Sequence, residues 1–356
     1  MELIMILLLC IAIMAFVIAI CTTPLIRKLA LKYNVYAKPN HRTIHKNIVP
    51  LLGGISIFAA YLVSFSLLIV FAPSNLDALI EESIVFLGAG FLILLLGIYD
   101  DIKGANSTQK LTIQIIAAAI VIISGYKVSV VAMPFGIYVP LGMFSVPVTM
   151  LWIVGITNAI NLIDGLDGLA AGISMGAALI MLAVSLYFGN IASAFPAAIL
   201  ASSLAAFLLF NFNPARIFLG DSGSLFIGFM LACFSINGTF RDSSAVAMLI
   251  PVIVLGIPIT DTILAVIRRV RKGVHPFHAD REHIHHRLMN LGLSHRQVVL
   301  LIYGISMVFG VIAMLIFIFP SPYTLLSLVP LLIMMMFGLK RLGFTQYFVL
   351  SHKSLE

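Results

Sequence analysis

Four short stretches of this 356-residue sequence group side chains able to do chemistry. In GIYDDIKG, Asp100 and Asp101 stand side by side at the end of an apolar run. Neighbouring carboxylates at such an edge are unfavourable unless a cation or hydrogen bonds compensate, although a helix simply ending in water also explains them. Lys110, followed one turn later by Gln114, opens the next run and brings a cation across one short connection. The second stretch, NAINLIDGLDGLAAG, runs from Asn158 to Gly172. Asn161, Asp164 and Asp167 recur every third residue there, which puts three oxygens on one broad side of a helix end, while Gly165 and Gly168 let the backbone open. Such ligands suit Mg²⁺, which takes one or two carboxylates plus substrate phosphates. Asp and Gly also end helices without binding anything.

The third stretch, NFNPARIFLGDSGSLFIG, sets Asp221 between Gly220 and Ser222 where an apolar run begins. Amides at a helix start meet phosphate well, and a capping role for Asp221 or Ser222 is compatible with ligation. The fourth, RRVRKGVHPFHADREHIHHRL, places His283 and His286 three apart, with His285 beside them and Arg281 and Arg287 flanking. Clustered histidines suggest zinc, but four ligands are not evident and the arginines oppose a dication. Donors with fixed positive charge better suit an anion such as a diphosphate. Anchorage on anionic lipid explains Arg268, Arg269, Arg271 and Lys272 but leaves the histidines unexplained. A weaker fifth stretch, KPNHRTIHKNIVPLLGG, carries charges that a topogenic anchor also explains. An acid-rich centre ringed by bases points to Mg²⁺ holding a nucleotide diphosphate, with cations absorbing the charge that develops in phosphoryl transfer.

The elements that must position these groups lie in lipid. Hydrophobic residues make up 61% of the chain and charged residues only 10%, far from a soluble composition. About eleven apolar runs are long enough to cross a bilayer, at 3–23, 51–72, 84–99, 111–125, 142–160, 169–188, 193–210, 224–238, 245–267, 297–319 and 322–339. Basic residues follow the first run at Arg27, Lys28 and Lys32, so it reads as a retained span rather than a signal peptide. Of the 21 Lys and Arg, 19 fall on one set of alternate connections, leaving Lys127 and Arg241 on the other. All nine histidines and eight of the 14 acids share the basic side. The positive-inside rule makes that side cytoplasmic, with the N-terminus out and the C-terminus in. The formal charge of +7 is therefore topology and site, with no nucleic-acid partner implied. Cys10, Cys21 and Cys233 sit in apolar runs and suggest neither disulfide nor zinc site. The stretch 126–141 is β-branched and broken by Pro and Gly, as a small hairpin would be. The expectation is an all-α polytopic membrane protein, a single integral-membrane domain over 1–356, with 268–296 as a basic, histidine-rich cytoplasmic loop.

The motifs DD, NAINLIDGLDGLA, NPARIFLGDSGS and HADREHIHHRL resemble the polyprenyl-phosphate N-acetylhexosamine-1-phosphate transferase superfamily, of glycosyltransferase 4 type, almost end to end. HIHHRL and the eleven runs are most similar to its bacterial undecaprenyl-phosphate GlcNAc-1-phosphate transferases of the WecA/TagO type. The MraY branch, which uses UDP-MurNAc-pentapeptide, has ten spans and an uninterrupted HHH, whereas Ile284 separates His283 from His285 here. The resemblance implies transfer of GlcNAc-1-phosphate from UDP-GlcNAc to undecaprenyl phosphate with release of UMP. It further implies a bacterial cell-membrane location, sensitivity to tunicamycin, and a first membrane step towards a teichoic acid or O-antigen type of glycopolymer. Membrane lipids would surround the protein, and a homodimer is compatible with it.

Carried over by residue, the resemblance implies that Asn161 and Asp221 ligate Mg²⁺, or Mn²⁺ in its place, together with the diphosphate. Asp100 and Asp101 would lie beside the lipid phosphate, Asp100 as the candidate base, and Asp164 would organise the metal region. Lys110 would contact phosphate. Gly165, Leu166, Asp167 and Phe218 would form the uridine pocket, with Phe218 stacked on uracil. Arg281, His283, His285 and His286 would hold the diphosphate and amino sugar, with Lys46 and Asn158 as further substrate contacts. The family's DDxxK spacing is not met, because Lys103 falls a position early. A secondary transporter is the alternative from another class, suggested by the many spans and by Asp261 inside the ninth, although transporters place ionisable groups near the midplane rather than at one face.

Overall fold

Backbone groups in lipid must satisfy one another, so apolar runs become helices. A computed structural model of the chain describes residues 2–37, 48–71, 77–133, 137–237, 249–273, 283–319, 326 and 328–341. Its helices are α1 (Glu2–Lys32), α2 (Gly53–Phe71), α3 (Asp77–Lys103), α4 (Ser107–Ile123), α5 (Ser145–Ile163), α6 (Leu169–Tyr187) and α7 (Ile191–Asn211). They continue as α8 (Gly220–Asn237), α9 (Leu249–Val254), α10 (Gly256–Arg271), α11 (Ile284–Asn290), α12 (His295–Ile318) and α13 (Leu328–Arg341). Among the described residues, seven helices are long and apolar enough to cross a membrane, and Ser107–Ile123 and Gly220–Ile236 are shorter apolar ones.

Where described, the expected runs fall on helix, with differences of extent; α3, for one, runs from Asp77 to Lys103 rather than over 84–99. The first helix continues past Thr23, through Pro24, to Lys32. Proline removes the backbone donor that would meet the Ile20 carbonyl, yet the helix continues; just before it the Thr22 and Thr23 hydroxyls donate back to the carbonyls of Ile18 and Ala19 at 2.8 and 2.6 Å. The run at 245–267 is not one helix but two, α9 and α10, joined at Leu255. The stretch expected as a loop at 268–296 is also largely helical where described: it holds the end of α10, all of α11 and the start of α12.

Among the described residues, two short antiparallel ladders accompany the helices. Tyr36–Ala37 (β1) pairs with Val49–Pro50 (β2), Tyr36 opposite Pro50. Val130–Met133 (β3) pairs with Ile137–Pro140 (β4), Val130 opposite Pro140, within the stretch whose composition suggested a hairpin.

Helix α8 is the axis of the bundle. Every residue from Ser222 to Ser235 is buried, and α2, α3, α5 and α6 pack around it. Between helices in lipid, close approach supplies the attraction, and small residues permit it. A Cβ on Gly54 of α2 would collide with the Ser222–Gly223 backbone, and one on Gly97 of α3 with Asp221 and Ser222. Near the other end, Trp152 of α5 donates its indole N–H to the Ser235 hydroxyl of α8 at 2.7 Å.

Candidate active site

The site is built where α3 ends and α8 begins. A helix start leaves amide donors unsatisfied, and Asp101 satisfies two of them from a different helix. Its Oδ1 accepts the Asp221 amide at 2.8 Å, and its Oδ2 accepts the Ser222 amide at 3.2 Å and the Ser222 hydroxyl at 2.7 Å. Gly220, at φ +70°, carries the chain into α8 at a point where a Cβ would strike the Asp101 carboxylate. Asp101 thereby fixes where Asp221 points.

Asp100, its neighbour, faces a cation. Asn106 caps α4 through a reciprocal pair with Gln109, at 2.8 and 3.0 Å, and this starts the helix so that Lys110 sits in its first turn. The Lys110 ammonium bonds the Asp100 carboxylate at 2.8 Å and also the Asp221 carboxylate. Asp100 additionally accepts the Ala105 amide, which closes the α3–α4 turn. On the far side of Asp221, Asn161 donates to its Oδ1 at 3.0 Å and to Ser224 at 2.9 Å. Residues 100, 110, 161 and 221 thus form one continuous polar array from four helices. Lys103 lies elsewhere, over the Tyr99 ring.

This array borders a cleft of about 350 Å³, a volume suited to a small-molecule ligand. Asp100, Asp101, Asn161, Asp164, Gly165, Leu166, Asp167, Phe218 and Asp221 line it, together with Leu51, Asn211, Leu219 and Gly220. Asp164 ends α5 and its carboxylate has no hydrogen-bond partner among the described residues. Burial, and then repulsion from Asp221, Asp101 and Asp167, pushes its carboxyl well above the usual aspartate range. Asp167 is engaged in holding the opposite wall: its Oδ2 accepts the Asn213 side chain and the Ala215 amide, both at 3.0 Å. Phe218 is fixed through its backbone. Its amide donates to Pro50 at 2.8 Å and its carbonyl accepts from Gly53 at 3.0 Å, so the β1–β2 ladder continues into the cleft wall. Tyr303 of α12 donates to the Gly168 carbonyl and fills the space left by Gly172, bracing the glycine-broken turn from behind.

Other expected residues stand apart from the cleft. Asn158 does not line it. Its amide nitrogen donates to Gln114 at 2.7 Å and to the Val154 carbonyl at 2.7 Å, tying α5 to α4. His285 reaches it only edge-on, its ring lying where a Cβ of Gly165 would be. Burial, with His286 beside it, pushes the His285 imidazole down to about 3, so it is neutral at physiological pH. His283, His285 and His286 form one cluster, with ring centroids 4.3 to 6.5 Å apart. Lys46 and Arg281 lie outside the described residues.

Five contributors escaped the sequence reading. Leu51 and Leu219 carry no polar signal, and Ser224 and Tyr303 reach the site through Asn161 and Gly168, partners distant in sequence. Asn211, at the start of a quoted motif, could have been singled out: it is buried, its Nδ2 donates to Ile217 at 2.9 Å, and its Oδ1 has no partner among the described residues. No three His, Cys, Asp or Glu side chains among the described residues form a preformed metal cage. An amide and one or two carboxylates beside this cleft, with more negative charge than Lys110 offsets, are nevertheless the donor set Mg²⁺ takes when phosphates complete its shell.

Residues 83–239 match the family described as glycosyl transferase family 4. A probable undecaprenyl-phosphate N-acetylglucosaminyl 1-phosphate transferase of Bacillus subtilis is 37% identical over 306 residues, which cover 85% of this chain and 84% of that protein. A decaprenyl-phosphate N-acetylglucosaminephosphotransferase of Mycolicibacterium smegmatis is 35% identical, over 81% of this chain and 77% of its own. An undecaprenyl-phosphate alpha-N-acetylglucosaminyl 1-phosphate transferase of Yersinia pestis is 31% identical, over 78% and 75%.

Proposed function

This chain belongs to the polyprenyl-phosphate hexosamine-1-phosphate transferase family, and from that premise we propose that it transfers GlcNAc-1-phosphate from UDP-GlcNAc to undecaprenyl phosphate. An oxygen of the lipid phosphate attacks the β-phosphorus of the nucleotide sugar. The bond from that phosphorus to the bridging oxygen breaks, UMP leaves with the electron pair, and undecaprenyl-diphospho-GlcNAc remains. A phosphomonoester is largely ionised at neutral pH, so little proton removal is asked of Asp100.

The observation that carries this reading is the array of Asp100, Lys110, Asp221 and Asn161 at the edge of the cleft, with Asp164 behind it. Asn161 and Asp221, with Asp164 near them, are the residues that would hold Mg²⁺, which when bound would offset the charge of the diphosphate. Lys110 would place a fixed positive charge where the leaving phosphate becomes more negative. Phe218, with Leu51 and Leu166 close by, supplies apolar surface for a nucleobase. The charge distribution supports eleven spans, with α9 and α10 as a broken ninth, the N-terminus outside, and this site at the cytoplasmic face of a bacterial cell membrane.

The test is UMP release by purified protein from UDP-GlcNAc, UDP-GalNAc and UDP-MurNAc-pentapeptide, each with and without undecaprenyl phosphate and Mg²⁺. Release from UDP-GlcNAc that needs both the lipid and Mg²⁺, and that Asp221→Ala abolishes, is the expected result. Turnover of the pentapeptide donor instead would move the chain to the MraY branch, and release indifferent to Asp221→Ala would overturn the site.

A further inference from the structure

Asp261 is 1% exposed and lies within α10 among the buried residues Ile257, Leu264 and Ala265. An ionisable side chain in such surroundings needs partners, and the two it has among the described residues both come from the histidine segment. Its Oδ2 lies 2.8 Å from His283 Nδ1, and its Oδ1 accepts the Ile284 amide at 2.9 Å. His283, itself only 5% exposed, occupies the cap position of α11 without making a side-chain capping bond, so the Asp261 carboxylate caps that helix from outside. The His283 ring is parallel to that of His285 at 5.7 Å, and His285 rests on Gly165 of the cleft.

We infer that Asp261 is a positioning residue of the transferase, one carboxylate that sets both the ring orientation of His283 and the start of the helix bearing His285 and His286. A carboxylate accepting from Nδ1 keeps the proton there and leaves Nε2 as the outward nitrogen, as in metal and hydrolase sites where an acid orients a histidine. The catalytic part of this inference rests on the proposed transfer reaction; the orientation of His283 does not.

Asp261→Asn keeps the shape but offers His283 either an N–H donor, which reverses the tautomer, or an oxygen whose companion N–H then opposes the Ile284 amide. The first readout is the ¹⁵N spectrum of histidine-labelled protein, with the His283 signals assigned by their loss in His283→Gln. The expected result is an Nδ1–H imidazole in the unaltered protein and a changed tautomer or shift in Asp261→Asn. The second is turnover: kcat should fall about 10- to 100-fold with the KM for UDP-GlcNAc little changed, and Asp261→Glu, which keeps the charge, should recover part of it. In Asp261→Asn/His283→Gln the losses should not multiply. An unchanged His283 spectrum, multiplying losses, or undiminished kcat would overturn the inference. Should Asp261→Asn not fold, Asp261→Glu carries both readouts, and a normal spectrum with no recovery of activity relative to His283→Gln would count against it. A protein that releases no UMP at all refutes the transferase reading, while the spectrum still decides what Asp261 does to His283.

Discussion

Asp100 and Asp101 are adjacent in the chain yet face different partners. Asp100 meets Lys110, ten residues on, and Asp101 meets the start of α8, 120 residues on. Sequence could pair them but could not divide them, because the amides that claim Asp101 belong to a helix placed beside it only by tertiary packing. The division predicts opposite phenotypes. Asp101→Ala removes a helix cap and should destabilise the protein by about 1–2 kcal/mol, seen as a lower Tm in detergent. Asp100→Asn should leave Tm nearly unchanged and reduce UMP release. Lys110 was legible as the cation facing the acids across one short connection, and the capping box at Asn106 is what delivers it; that it bonds Asp100 and Asp221 rather than Asp101 was not legible, because Asp221 is brought beside it only by packing. His285 makes a prediction about acid. Its folded state resists protonation down to about 3, whereas the unfolded chain takes up a proton near 6.5, so unfolded protein binds more protons between those values. Stability should therefore be full above 6.5 and decline as the pH falls below it, a decline that His285→Gln should lessen in Tm measurements across that range.

At the scale of elements, helix existence was legible because apolar runs in lipid have one outcome. Their ends were less so. Pro24 reads as a stop, but α1 continues through it to Lys32, and the run at 245–267 conceals the break at Leu255 because apolar residues flank it on both sides. The seating of α8 was not legible at all. Gly54 and Gly97 each look like one more small residue in a span, and only the packed bundle shows that both face the first turn of α8. Neither touches the cleft, yet adding a methyl group must push that turn away and carry Asp221 with it. Gly54→Ala and Gly97→Ala should each cost about 1–3 kcal/mol and lower UMP release although no charged residue has changed. Normal turnover in either variant would show that the α8 start is not held by this approach.

Across the whole molecule, the sidedness of charge was the most legible feature, since the basic residues sort onto alternate connections without any structure. Unreadable from sequence was how the acids crowd once folded. Asp164 faces Asp221, Asp101 and Asp167, and its raised pKa means the folded chain holds a proton that the unfolded chain loses near 3.8. Unfolded protein therefore binds fewer protons above that value, and metal-free protein should lose stability as the pH rises from it towards the folded pKa. Asp164→Asn should flatten that slope. A divalent cation held by the site should raise Tm with the logarithm of its concentration once that exceeds Kd, more at neutral pH than in acid, and a Tm unmoved by Mg²⁺ at either pH would count against a metal site in the free protein. The bond between Trp152 and Ser235 joins the middle of α5 to the last turns of α8, the two helices that also bring Asn161 and Asp221 together. Trp152 is the only tryptophan in the chain. The protein thus carries its one tryptophan at that seam, and if nucleotide binding shifts α8 against α5, its emission will report the shift from outside the cleft without a label.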